Sequence, residues 1–186
     1  IGGSSSDYIN SVAETSYGGY IVGGYFNSSS IDLGNGVTLT NHGSTSYSDG
    51  MLIKYSTIGI SEPVIKQATS IGGSSSDEIN SVASTSDGGY IVSGYFASSI
   101  FLGNGVTLTS NGNTDGMVIK YDAEGNIEWG KAIGGSKDDY INSVVETSDG
   151  GYLVGGNFDS SSIDLGNGVT IKNNGSSDGM LIIYST

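Results

Sequence analysis

Polar and apolar positions alternate along most of the chain in short runs closed by glycine pairs, and the same alternation returns three times. Asp77-Glu-Ile-Asn-Ser-Val-Ala-Ser-Thr-Ser-Asp-Gly-Gly-Tyr-Ile-Val-Ser-Gly-Tyr-Phe96 has counterparts at Asp7 to Phe26 and Asp139 to Phe158. The steps between copies are 70 (77 minus 7) and 62 (139 minus 77) residues. Ile-Gly-Gly-Ser stands just ahead of each copy, at Ile1, Ile71 and Ile133. A fixed repeat makes one repeat the unit to interpret, and neighbouring units can cover each other's apolar faces.

Within the unit, the runs before and after Gly88-Gly89 read as two strands joined by a Ser-Asp-Gly-Gly turn. Glycine accepts the positive φ of tight hairpins, and aspartate bonds to its own backbone two residues on. In the second run Tyr90, Val92, Gly94 and Phe96 share one face, and Ile91, Ser93 and Tyr95 share the other. Neither face is wholly polar, so a sheet covered on both sides is expected. The pairs Gly23-Gly24, Ser93-Gly94 and Gly155-Gly156 are positions where two backbones can approach closely.

A smaller hairpin follows, centred on Gly34-Asn35-Gly36 and flanked by Ile31, Leu33, Val37 and Leu39. It recurs at 100–109 and 163–172, and its serine-rich flanks predict a projecting flap. The third strand opens on Asp-Gly at Asp49, Asp115 and Asp178. A fourth runs from Asn126 to Ile133 in the middle repeat and from Glu62 to Ala68 in the first, there reached through the loop Ser56 to Ser61. Pro63 fits an outer strand, where its missing N–H faces solvent. The third repeat has no fourth strand. Its Met180-Leu181-Ile182-Ile183-Tyr184 run is therefore expected to be an unpaired apolar edge that invites assembly. The chain divides into repeats 1–70, 71–132 and 133–186 of one β domain.

Composition agrees with a turn-rich β protein. Thirty-two glycines, 12 tyrosines and one proline stand beside only 13% charged residues. The formal net charge is −13, with 19 acids against six lysines. A nucleic-acid partner is disfavoured, because binding a polyphosphate needs a clustered cationic patch. Anionic membrane surfaces are disfavoured for the same reason. No apolar run reaches membrane-spanning length, so no membrane insertion is expected. Absent cysteines rule out disulfides and thiolate metal sites. Opening at Ile1 without methionine or signal sequence, the chain reads as a mature or excised segment.

Three motifs carry a resemblance. Ser-Val-x-x-Thr-Ser-Asp-Gly-Gly-Tyr comes first, and Ile-Asp-Leu-Gly-Asn-Gly-Val-Thr-Leu-Thr follows it. The third is Asp-Gly-Met-x-Ile-Lys-Tyr-Asp-x-x-Gly-Asn-Ile-x-Trp-x-Lys-x-Ile-Gly-Gly of the middle repeat. Together they resemble the β-propeller repeats of bacterial surface and secreted proteins, sometimes called SBBP-like. The resemblance spans essentially the whole chain. It implies an all-β fold of propeller-type blades, three repeats of about four antiparallel strands plus a small hairpin, with an extracellular or cell-surface location. In each blade the 79–85 run would be innermost, then 90–96, then 116–121, then 126–132. Closed propellers have about 4 to 8 blades, so three blades form an incomplete ring. Completion is expected either from the rest of a longer propeller or from association into a homo-oligomer.

Candidate chemistry is sparse. Asp7, Asp77 and Asp139, and Asp49, Asp115 and Asp178, recur once per repeat, which suits turn N–H groups better than a catalytic acid needed once. Asp122, Glu124, Asn126 and Glu128 alternate as calcium ligands do, but they also fit a hairpin turn around Gly125 and lack EF-hand spacing. Calcium is therefore the one cofactor the sequence raises. His42, the single histidine, lies in a polar stretch without a catalytic partner pattern. Tyr8 and Tyr140, aligned with Glu78 between them, are candidates for a ligand face where rings stack on glycans, against the alternative of packing between repeats. A non-catalytic scaffold is the leading expectation, a carbohydrate-binding propeller the alternative, and a glycan-active enzyme the third.

Overall fold

The computed structural model describes residues 1–44, 46–57, 59 and 62–185. The fold is all-β, built of several small antiparallel sheets with no helix among the described residues. In the first repeat β1 (Asp7–Glu14), β2 (Tyr20–Phe26), β5 (Asp49–Ser56) and β6 (Val64–Ile71) form a sheet in the order β1-β2-β5-β6. The hairpin β3 (Ser30–Gly34) and β4 (Val37–Thr40) stands beside it. The middle sheet has the same order in β7 (Glu78–Ser84), β8 (Tyr90–Gly103), β9 (Val106–Tyr121) and β10 (Ile127–Ile133). The third holds β11 (Asp139–Glu146), β12 (Tyr152–Phe158) and β15 (Asp178–Tyr184), with the hairpin β13 (Ser162–Gly166) and β14 (Val169–Lys172). The strand order that the resemblance implied within each repeat is observed, and the third sheet has three strands. Part of the loop Ser56 to Ser61, namely Ile58, Ile60 and Ser61, lies outside the described residues.

The first strand of each sheet bulges once against its partner, between Ile9 and Ser11, Ile79 and Ser81, and Ile141 and Ser143. The facing glycine makes the close approach tolerable. A Cβ on Gly24, Gly94 or Gly156 would collide with the carbonyl oxygen of Tyr8, Glu78 or Tyr140.

One sequence expectation is corrected. The small hairpins are not projecting flaps, since Ile31, Ile100 and Ile163 are fully buried and Leu39 and Leu108 nearly so. Their alternating apolar residues close one side of the core in each repeat. In the middle repeat, moreover, the hairpin is no separate sheet but a continuation of β8 and β9. The cause is a link one residue shorter. Asn27-Ser28-Ser29-Ser30 and Asp159-Ser160-Ser161-Ser162 each lie between phenylalanine and isoleucine, where the middle repeat has only Ala97-Ser98-Ser99. The longer links turn inward, and Ser28 and Ser160 donate both N–H and O–H to Asp7 and Asp139. The shorter link offers the Ala97 N–H alone to Asp77 and carries the ladder across a bulge at Ser98, whose φ is 69°.

The core is partitioned by the sheets. One cluster joins Ile21, Leu52 and Ile71 of the first repeat to Ile79, Val82, Val92 and Met117 of the second. Another joins Ile91, Val118 and Ile133 of the second to Ile141, Val144 and Val154 of the third. The remaining cluster, Val22, Phe26, Ile31, Leu39, Met51 and Ile53, belongs to the first repeat alone.

Candidate functional site: two internal seams and two open faces

The seam between successive sheets is built by the same residues each time. Strand β7 lies across β1 and β2, and β11 lies across β7 and β8. Asn10 Nδ2 donates to the Ile79 carbonyl at 2.9 Å, and Asn80 Nδ2 donates to the Ile141 carbonyl at 2.9 Å. The next residue works in the opposite sense. Val82 N–H donates to Ser11 Oγ at 3.1 Å, and Val144 N–H donates to Ser81 Oγ at 3.4 Å. An edge strand presents unpaired backbone groups, and here the Asn-Ser pair of one edge strand satisfies those of the next.

Apolar side chains fill the same seam. Ile79 and Val82 sit over Gly23, where a Cβ would come within 2.7 Å of each of them. Ile141 sits likewise over Gly116, at 2.5 Å from a Cβ placed there. The glycines are sockets for the branched side chains of the following sheet.

At the two ends the halves of this seam stand apart. Ile9 and Val12, aligned with Ile79 and Val82, are 51% and 58% exposed where their counterparts are 0% and 5%. On the third sheet, Leu181 is 69% exposed, against 1% for Leu52 and 0% for Val118. Nothing lies within 4 Å of a Cβ built on Gly155 or Gly179. Asn142 turns to Asn157 Oδ1 at 3.0 Å, and among the described residues no side chain reaches the Ile9 carbonyl or the Val12 N–H. Of the expected assembly segment, β15 does form the edge of its sheet. Met180 and Ile182 point into the core, Leu181 and Ile183 outward, and Tyr184 is half-buried. The unpartnered feature is therefore a face as well as an edge. Sequence reading missed Ile9, Val12 and Gly179 and took Gly155 only as a place of close backbone approach, because their exposure depends on position in the series and not on residue type.

The recurring carboxylates are held by backbone donors. Asp77 accepts from the Gly73 and Ala97 N–H groups at 2.8 and 3.0 Å and is fully buried. Burial pushes its carboxyl up to about 7 against those two donors, and nearby Asp49 pushes the same way while His42 opposes. Asp7 occupies the aligned place in the open first sheet. There the smaller effect of burial is outweighed by the Gly3 N–H and the Ser28 donors, and its carboxyl lies below its ordinary value. Asp49 Oδ2 takes both the backbone N–H of His42, at 2.8 Å, and its ring Nδ1, at 2.6 Å. Asn111 and Asn174 make the corresponding backbone bond to Asp115 and Asp178. His42 thus fills an asparagine's place in a loop turn, and no serine hydroxyl bonds to it among the described residues.

The calcium candidates form the turn from β9 to β10. Asp122 accepts from the Asn126 N–H and Nδ2 at 2.7 and 2.9 Å, and Gly125 has a φ of 93°. Glu128 pairs with buried Lys120 at 3.0 Å, and Asp87 pairs with the same amine at 2.7 Å. Among the described residues no group of three or more His, Asp or Glu side chains converges.

The tyrosine candidates lie on one rim. Tyr8 is half exposed and stacks on Tyr25 with centroids 4.9 Å apart; Tyr140 meets Tyr95 edge-on at 5.0 Å. Ser5, Ser6, Tyr8, Tyr25, Asn27 and Glu78 help line an open cavity of 480 Å³ on that rim. A second cavity, of 350 Å³, is lined by Trp129, Lys131, Tyr152 and Tyr184. The matching place in the first seam is occupied by the 122–126 turn, whose Ala123 and Gly125 carbonyls accept from Lys54 and Gln67.

No protein-family model matches the sequence, and comparison with curated proteins likewise finds no match.

Proposed function

We propose that the chain is a non-catalytic scaffold of β-propeller-type blades, akin to the repeats of bacterial surface and secreted proteins, working outside the cell or at its surface. On this reading each sheet is a blade, and the business of the molecule is joining blades face to face. The observation that carries it is the seam made twice by aligned Asn, Ser, Ile and Val residues, with one half of it left open at each end. The recurring aspartates support it, since their donors are turn and link N–H groups present in every repeat.

A carbohydrate-binding reading draws on the Tyr8–Tyr25 stack beside Asn27 and Glu78, where rings and amides meet in an open cavity. A glycan array and a panel of glycosidase and esterase substrates separate the readings. The scaffold predicts neither retention nor turnover. A glycan held by the native chain and lost in a folded Tyr8→Ala variant contradicts the scaffold and favours the lectin. Turnover abolished by Asp159→Asn, an acid whose counterparts in the other repeats are Asn27 and Ala97, favours an enzyme.

A further inference from the structure

The two open faces are complementary halves of one contact. The first sheet presents Ile9 and Val12, the plugs, together with a carbonyl and an N–H that no side chain reaches among the described residues. The third presents Gly155 and Gly179, the empty sockets, with Leu181 exposed beside them and the Asn142-Ser143 pair that the earlier repeats use to hold the next edge strand. The core cluster confined to the first repeat fits the same division. Its aligned equivalent in the first seam also contains Ile21 and Leu52 of the preceding sheet, whose counterparts in the third sheet are Leu153 and Leu181.

We propose that a second copy of this chain docks head to tail on the first, β1 of one copy lying across β11, β12 and β15 of the other. Ile9 and Val12 then enter the sockets at Gly155 and Gly179, Asn142 donates to the Ile9 carbonyl, and the Val12 N–H donates to Ser143. Each copy carries one plug face and one socket face. Two copies therefore satisfy both faces and bring three sheets each to a six-sheet closed assembly, within the range of about 4 to 8 for propellers. The inference rests on the scaffold reading and gives it a partner. Because each copy carries a net charge of −13 while the seam is largely apolar, salt screens the repulsion and strengthens the pairing.

Light scattering over a range of concentrations tests this. The native chain is expected at twice its 18.9 kDa mass. Val12→Asp and Leu181→Asp each place a charge on an exposed side chain, so both should keep the native circular dichroism spectrum. Each should weaken pairing by at least about 30-fold, as loss of a central contact does. Mixing the two variants should recover pairing in part, because the mixed pair joins the intact socket of one to the intact plug of the other while its second contact carries both substitutions. A native chain that stays at 18.9 kDa throughout overturns the proposal. So does a Val12→Asp variant that still pairs, which would put the contact on the β15 edge. Failure here leaves the scaffold reading standing; that reading falls only to glycan retention or turnover, measured on the same samples.

Discussion

The middle sheet and the third sheet are nearly the same sequence in different surroundings. Val118 and Leu181 hold aligned positions, yet one is fully buried and the other 69% exposed. Gly116 and Gly179 are aligned too, and one holds Ile141 while the other is empty. The difference teaches that burial in this molecule is set by which sheet comes next and not by residue type alone. Stability should accordingly be distributed by seam, as in repeat proteins whose units contact only their neighbours.

The sharpest way to break this comparison is to truncate a plug in each setting. Ile79→Ala removes a fully buried side chain and should cost about 2–5 kcal/mol in denaturant unfolding. Ile9→Ala, at the half-exposed aligned site, should cost well under half as much in dilute protein. Equal losses would refute the seam as the source of stability.

The pH dependence should also differ between aligned aspartates. Asp77 has a raised carboxyl, about 7, so the folded chain holds a proton that the unfolded chain releases from about pH 4. Its contribution is present at low pH and is lost as pH rises toward about 7. Asp7 is depressed, so its contribution is present above its ordinary value and is lost as pH falls below it. Melting across pH 4 to 8 should thus show a decline that Asp77→Asn reduces and Asp7→Asn leaves in place.

Filling a socket gives a smaller effect. Gly23→Ala puts a Cβ within 2.7 Å of Ile79 and Val82 and should cost about 1–3 kcal/mol through overpacking. Gly155→Ala, with nothing within 4 Å, should leave the dilute chain within about 0.5 kcal/mol of native. The smallest contrast is the amide. Asn80→Ala loses a bond across the seam, about 0.5–1.5 kcal/mol, whereas Asn142→Ala loses only an exposed one within its own sheet.

Much of the fold was legible because its signals are local. Alternation located the strands, and Asp-Gly-Gly and Gly-Asn-Gly located the turns, whereas the strand order came only with the resemblance to propeller blades. The doubly apolar Tyr90–Phe96 run correctly announced a sheet covered on both faces, since every residue in it but Tyr95 is buried. What the sequence did not disclose depends on contacts between distant segments. Ile31 and Leu39 looked like flap residues because their serine-rich flanks are polar, although their own side chains enter the core. His42, set aside as chemistry for want of a partner pattern, stands where the other repeats have asparagine. The sockets were invisible because Gly23 and Gly155 are the same residue in the same motif.

The most direct measurement is amide hydrogen exchange at three aligned valines as protein concentration is raised. Val82 and Val144 donate across internal seams and should be protected at every concentration. The Val12 N–H should exchange freely in dilute solution and become protected as copies pair. A Val12 N–H that exchanges at the same rate in dilute and concentrated protein would contradict the account.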